Sequence, residues 1–228
     1  MQQTEVKFGP WMEQGFALYK ENLALLILSA LLVWLLSVLS LGILAGPMAA
    51  GMVLITLRLQ DKTEPKPEIG DLFQGFSFFL NAFLFALVYS VVAYVGYFIL
   101  LFVPMIGPLA AMVYLFALFT LVLFAMFLIV DKKMDFWPAI MASVEKVKTN
   151  FWPFLGFTVV ISIAGGVGSI LCGIGAILTL PFAYCAATVA YRDVFSDAAD
   201  VGGMPSVESV PEPMPPSLEG PETEPPPA

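Results

Sequence analysis

Histidine is absent from this chain of 228 residues, and ionisable side chains of any kind are scarce: ten Lys and Arg against eighteen Asp and Glu. Without imidazole the commonest general base and the commonest metal ligand are both missing. The two cysteines, Cys172 and Cys185, lie thirteen residues apart with no Cys-x-x-Cys or Cys/His grouping, so they read as small buried apolar residues rather than a disulfide or metal framework. The shortage of charge has the larger consequence. Only 12% of residues are charged and 59% are hydrophobic, against about 25% charged in an average soluble domain. Leu72 to Val130 runs for 59 residues without Asp, Glu, Lys or Arg, and about 20 apolar residues cross a bilayer as a helix. The fold class expected is all-α, a polytopic membrane bundle.

The net charge of −8 belongs to the C-terminal tail. After Arg192 there are eight acids and no base, which leaves ten acids and ten bases in the rest of the chain. Those bases are spread over short segments with no basic groove, so nucleic acid is excluded as a partner. The last 36 residues also hold nine prolines and few large apolar groups. Residues 193–228 are therefore expected to form a disordered, acidic, Pro-rich cytoplasmic tail. PEPMPP could take polyproline II form and dock on a protein partner.

Residues 1–192 divide into spans separated by polar or Gly/Pro-containing breaks. Lys7 to Glu21 mixes aromatics and charges at helical spacing and reads as an interfacial helix, with Trp11, Phe16 and Tyr19 suited to the headgroup zone. The charge-free run that follows, Leu23 to Leu57, is too long and too acidic in its approach (Glu5, Glu13, Glu21) for a signal peptide. It holds a span near 23–39 and a second segment near 41–58, either a full span or re-entrant. QDKTEPKPEIG is an extramembrane loop, and Asp71 is placed to cap the next helix. Pro104, Gly107 and Pro108 divide the long run into spans near 77–102 and 108–130. Asp135 to Thr149 is a second interfacial amphipathic helix, with Phe136, Ile140, Val144 and Val147 on one face, backed by Trp137 and Met141. Two last spans fall near 151–166 and 170–191, with Ala164, Gly168 and Cys172 at the four-residue spacing that lets membrane helices approach closely.

Six spans thus form three helical hairpins, each preceded by an aromatic segment and an Asn: Asn22, Asn81 and Asn150. The breaks share short motifs, Gly46-Pro47-Met48-Ala49, Gly107-Pro108-Leu109-Ala110 and Leu180-Pro181-Phe182-Ala183. Pro47 to Arg58 and Pro181 to Arg192 are both eleven residues, whereas the middle unit continues about three turns further to Asp131. The three Asn are expected to cap helix starts where the chain enters the membrane. Alternatively they form a polar ring at one interface that binds lipid or solute.

All ten bases lie on one side of a six-span layout, and the three opposite turns carry no charge. The positive-inside rule places both termini in the cytoplasm of a bacterial inner membrane protein. No Asp, Glu, Lys or Arg lies inside an expected span, which argues against proton-coupled transport. A channel or uncoupled facilitator stays open, because broken helices at Pro47, Pro108 and Pro181 can line a pore. The acids near the membrane show no metal-binding spacing, so no catalytic, cofactor or metal residue is assigned, and an enzyme is the weakest class.

The stretches WMEQGFALYKEN, GPMAAG, SVEKVKTNFWPF and PFAYCAATVAYRDVF, within residues 11–195, resemble uncharacterised bacterial integral membrane proteins, similar to the membrane domain attached to some glycerophosphodiester phosphodiesterases. The resemblance implies a six-helix membrane domain. It does not imply phosphodiesterase activity, whose separate catalytic domain has no counterpart in these residues. The expected role is a non-enzymatic organiser of membrane lipids or partner proteins, with a small channel or facilitator as the alternative.

Overall fold

The computed structural model describes residues 7–166 and 174–196. Among them every regular element is helical: α1 (Phe8–Glu21), α2 (Leu23–Leu39), α3 (Ala45–Gln60), a 3-10 helix (Ile69–Phe78), α4 (Phe79–Leu101), α5 (Gly107–Leu121), α6 (Ala125–Asp131), α7 (Phe136–Thr149), α8 (Phe151–Gly166) and α9 (Ile174–Ser196). The segments Ile69–Leu101 and Gly107–Asp131 are each long and apolar enough to cross a membrane. Two bent pairs, α1 with α2 at 90° and α7 with α8 at 109°, raise the number to four if each counts as one span. The six expected spans are not all reached by length, because α2, α3 and α8 have only 17, 16 and 16 residues.

Four boundaries differ from the sequence reading, each for a local reason. α3 starts at Ala45 because Leu41 (φ 51°) and Gly42 (φ 88°) turn the chain through left-handed backbone. A 3-10 helix precedes α4, and its N-cap is Glu68 rather than Asp71, whose carboxylate reaches back to accept the Glu68 amide at 2.9 Å. The fourth span breaks between Leu121 and Ala125 into α5 and α6. α9 runs through Pro181 without interruption and on to Ser196, so Pro181 is no break and the first four residues assigned to the tail are helical. The rest of the tail, with Gly168 and Cys172, lies outside the described residues.

The second helices of the three units form the centre. α3 buries ten of its sixteen residues, and it contacts α2, α4, α6, α9 and the 3-10 helix. α6 and the second half of α9 are likewise buried. The first helices, α2, α4 and α8, are more peripheral, and α4 buries only Ala82 and Ala93. Large apolar side chains that point outward, such as Phe98, Ile99 and Val95 on α4, suit a hydrocarbon environment.

The three short amphipathic elements bind the hairpins together in a cyclic order. α1 of the first unit crosses α9 of the third, the 3-10 helix of the second crosses α3 of the first, and α7 of the third crosses α6 of the second. Each crossing uses a small residue. A Cβ on Gly15 would lie 2.7 Å from the Ala186 Cα, and one on Gly75 would overlap the backbone of Pro47 and Gly51. In α7 the equivalent position is Ser143, fully buried, whose Oγ donates to the Leu121 carbonyl at 2.8 Å and accepts the Phe124 amide at 3.2 Å. These are polar groups freed by the break between α5 and α6, and Ser143 satisfies them.

This packing revises two amphipathic assignments. Trp11 is 1% exposed and lies against Phe154 and Phe157 in the core, not in a headgroup layer. Phe16 and Tyr19 instead meet Phe182 on α9. The buried stripe of α7 is Ala139, Ser143 and Val147, whereas Trp137 and Met141 face outward. Close helix crossing selects the small residues, and the large ones are left to the surface.

Candidate functional site

The three inner helices share a common register when counted back from their polar ends at Arg58, Asp131 and Arg192. Gly51 and Phe124 lie seven residues before those ends and Ala186 six, and these are the positions where the amphipathic elements cross. Ala49, Val122 and Ala183 lie nine residues before them, and Val53, Met126 and Ala187 five. All six of these side chains line one cavity of about 420 Å³. The cavity therefore takes its inner lining from corresponding positions of α3, α9 and the stretch leading into α6. Its outer wall comes from Phe85 and Tyr89 on α4, Phe119 on α5, and Ile161, Ser162 and Gly165 on α8.

The chemistry of this cavity is apolar. Ala at three of the six repeated positions leaves the space unfilled, and the polar side chains among its lining residues are Tyr89, Tyr184 and Ser162. Towards the polar ends the core closes with Phe127, Tyr191 and Phe195, joined by Phe124 at the level of the cavity itself, and these rings stack, tilt or meet edge-on at centroid distances of 5.0 to 6.2 Å. A buried hydrogen bond from Thr188 to Thr56 at 2.8 Å joins α9 to α3 at the same level.

Beneath the aromatic floor lies a charged latch. Arg192 Nη1 donates to Asp131 Oδ2 at 2.9 Å, its Nη2 donates to Asp61, and the Tyr191 hydroxyl donates to Asp131 at 2.7 Å. One guanidinium thus ties together the polar ends of all three inner helices. Burial works against the Arg192 charge, but the hydrogen bonds to Asp131 and Asp61 outweigh it and hold the pKa above the usual value. Two flanking clamps fix the crossings: Arg58 pairs with Asp71 at 3.1 Å and Gln74 at 2.8 Å, and the Trp11 indole N–H donates to Asp193 at 3.0 Å.

The residues singled out by sequence occupy different places. Asn22 lies at the α1/α2 bend, but its side chain donates back to the Leu18 carbonyl at 3.1 Å instead of capping α2. Asn81 lies inside α4 and donates to Asp135, the residue that precedes α7, at 3.3 Å. Asn150 ends α7 at the α7/α8 bend. Asn22 and Asn150 thus lie at bends and Asn81 does not, and neither Asn22 nor Asn81 caps a helix start. Pro47 and Pro108 stand in the opening turns of α3 and α5, where a missing amide costs little. Pro47 is buried at the crossing with Gly75, whereas Pro108 is exposed. None of the three Asn or three Pro lines the cavity. Of its residues only Ala49, Leu180 and Ala183 stood in the break motifs read from sequence, although the shared eleven-residue distance from Pro to Arg in the outer units already contained the register of the repeated ones.

Comparison with protein-family models, with curated proteins and with solved structures finds no match to this chain.

Proposed function

We propose that the chain is a non-enzymatic integral membrane protein, six spans arranged as three hairpins, that organises membrane lipids or partner proteins. Its setting is a bacterial inner membrane, with the charged end of the bundle and both termini in the cytoplasm. One observation carries this reading. Among the described residues the fully buried polar side chains are Ser29, Thr56, Thr120, Ser143, Thr158 and Thr188, with no Asp, Glu, Lys or Arg among them. A helical interior without charge offers no relay for protons or ions, and an aromatic floor with a charged latch below it closes the axis of the bundle. The resemblance read from the sequence, to the membrane domain attached to glycerophosphodiester phosphodiesterases, is part of this proposal and fits such a supporting role.

Solute flux in reconstituted vesicles tests it. The organiser role predicts no flux above protein-free vesicles; selective flux altered by substitutions near Pro47, Pro108 and Pro181 would favour a small channel or facilitator. The acidic Pro-rich tail supplies the protein contacts in this proposal. Affinity capture with the full chain and with a chain lacking residues 197–228 should then give different sets of proteins.

A further inference from the structure

The cavity between the inner helices has a volume and chemistry that the packing of the bundle does not need. Close crossings at Gly15, Gly75 and Ser143 show that this sequence brings helices together tightly where contact is required. Within one to three residues of two of those crossings, Ala49, Ala183 and Ala187 leave a space of about 420 Å³. That volume falls in the range of small-molecule sites. Side chains around an unfilled space lose their dispersion contacts. Most of the wall is hydrocarbon, so a space of this size offers water few partners: the polar side chains on it are Tyr89, Tyr184 and Ser162. The outer surface beside the cavity is apolar, with Val91, Val95 and Phe98 exposed on α4, so the surrounding phase is itself hydrocarbon.

We infer that the cavity between the inner helices binds one acyl chain of a membrane phospholipid. This rests on the reading of the chain as a lipid-organising membrane protein and names the part of the lipid that is held. The chain lies against the six repeated positions, with its end stopped by the aromatic floor at Phe127. Tyr89 and Tyr184 line the space without adding charge. The lipid is recognised by its hydrocarbon, not its headgroup, because no Lys or Arg lines the cavity.

The test uses the full chain in phosphatidylethanolamine and phosphatidylglycerol vesicles containing a trace of phospholipid with a photoactivatable diazirine along one acyl chain. After illumination, labelled peptides are mapped by mass spectrometry. The expected result is labelling at the lipid-facing surface, represented by Phe98, and also in the interior at Met126 or Ala187. Ala183→Phe, which fills the cavity, should cause loss of the interior label and retain the surface label; Ala187→Leu should do the same. Interior peptides of the unaltered chain that stay unlabelled while Phe98 is labelled would overturn the acyl-chain site alone. Absence of label at both places would overturn the membrane reading as well. Interior label that persists in both folded variants would also contradict the site, since the space it requires would be gone. If either variant does not fold, the labelling pattern of the unaltered chain decides.

Discussion

The Ser143 hydroxyl accepts the Phe124 amide at 3.2 Å across the crossing of α7 and α6, and it donates to the Leu121 carbonyl at 2.8 Å. One side chain thereby satisfies both ends of the break that separates α5 from α6. Leaving buried backbone groups without partners costs about 1–3 kcal/mol. Ser143→Ala is therefore expected to destabilise by about that amount, read as a lower thermal unfolding midpoint of the purified protein. Ser143→Thr, which keeps the hydroxyl but adds a methyl group to a tight crossing, should also be less stable than the parent. An unchanged midpoint for Ser143→Ala would show that the break does not depend on this residue.

Gly15 tests the equivalent crossing in the first unit. Its side-chain position is occupied by the backbone of Ala186, which is not the flexible end of a side chain and cannot swing aside. Gly15→Ala should cost about 1–3 kcal/mol from overpacking, despite the better intrinsic helix propensity of Ala. Gly9, in the same helix, has nothing within 4 Å of where its Cβ would be, so Gly9→Ala should be neutral or slightly stabilising. Thermal midpoints of the two variants, measured together, separate packing from propensity.

Arg192 holds the polar ends of the inner helices at side-chain exposures of 30% for Arg192, 22% for Asp131 and 40% for Asp61. Removal of the guanidinium leaves two carboxylates facing each other at one junction. After discounting for solvent screening, Arg192→Met is expected to destabilise by about 1 kcal/mol. The loss should diminish at high salt, where exposed ion pairs contribute less. A double-mutant cycle with Asp131→Asn should show coupling; strictly additive losses would mean that the latch does not act as a unit.

Much of the helical layout was legible because it depends on runs of apolar residues. The bounds 23–39 and 151–166 expected for two spans coincide with the helices α2 (Leu23–Leu39) and α8 (Phe151–Gly166). Lys7 to Glu21 and Asp135 to Thr149 were visible as amphipathic helices from their spacing. What the pattern could not reveal was which side of such a helix meets another helix. Large aromatics marked the apolar face of α7, but Ala139 and Ser143 made the contact, because close crossing is decided by what is small. The break at Val122 to Phe124 carries neither Gly nor Pro and has no local signal; Ser143, nineteen residues away, accommodates it. The latch was hidden for a similar reason. Asp61, Asp131 and Arg192 each look like a solvated charge at the end of a span, and only the meeting of three helices makes them partners. The cavity residues are ordinary Ala, Val and Met whose shared register appears once Arg58, Asp131 and Arg192 are aligned.

The arrangement of charged and uncharged ends is the feature on which the whole account depends, and it can be measured directly. Met105, at the tip between α4 and α5, is 99% exposed, whereas Lys62 follows α3 at the charged end. In a background with Cys172 and Cys185 replaced, Met105→Cys and Lys62→Cys are treated with a membrane-impermeant thiol reagent in intact bacterial cells. Met105→Cys should be labelled from outside, and Lys62→Cys only after the membrane is permeabilised. Labelling of Lys62→Cys in intact cells, or of both positions from the same side, would contradict a bundle that crosses the membrane with its charged end in the cytoplasm.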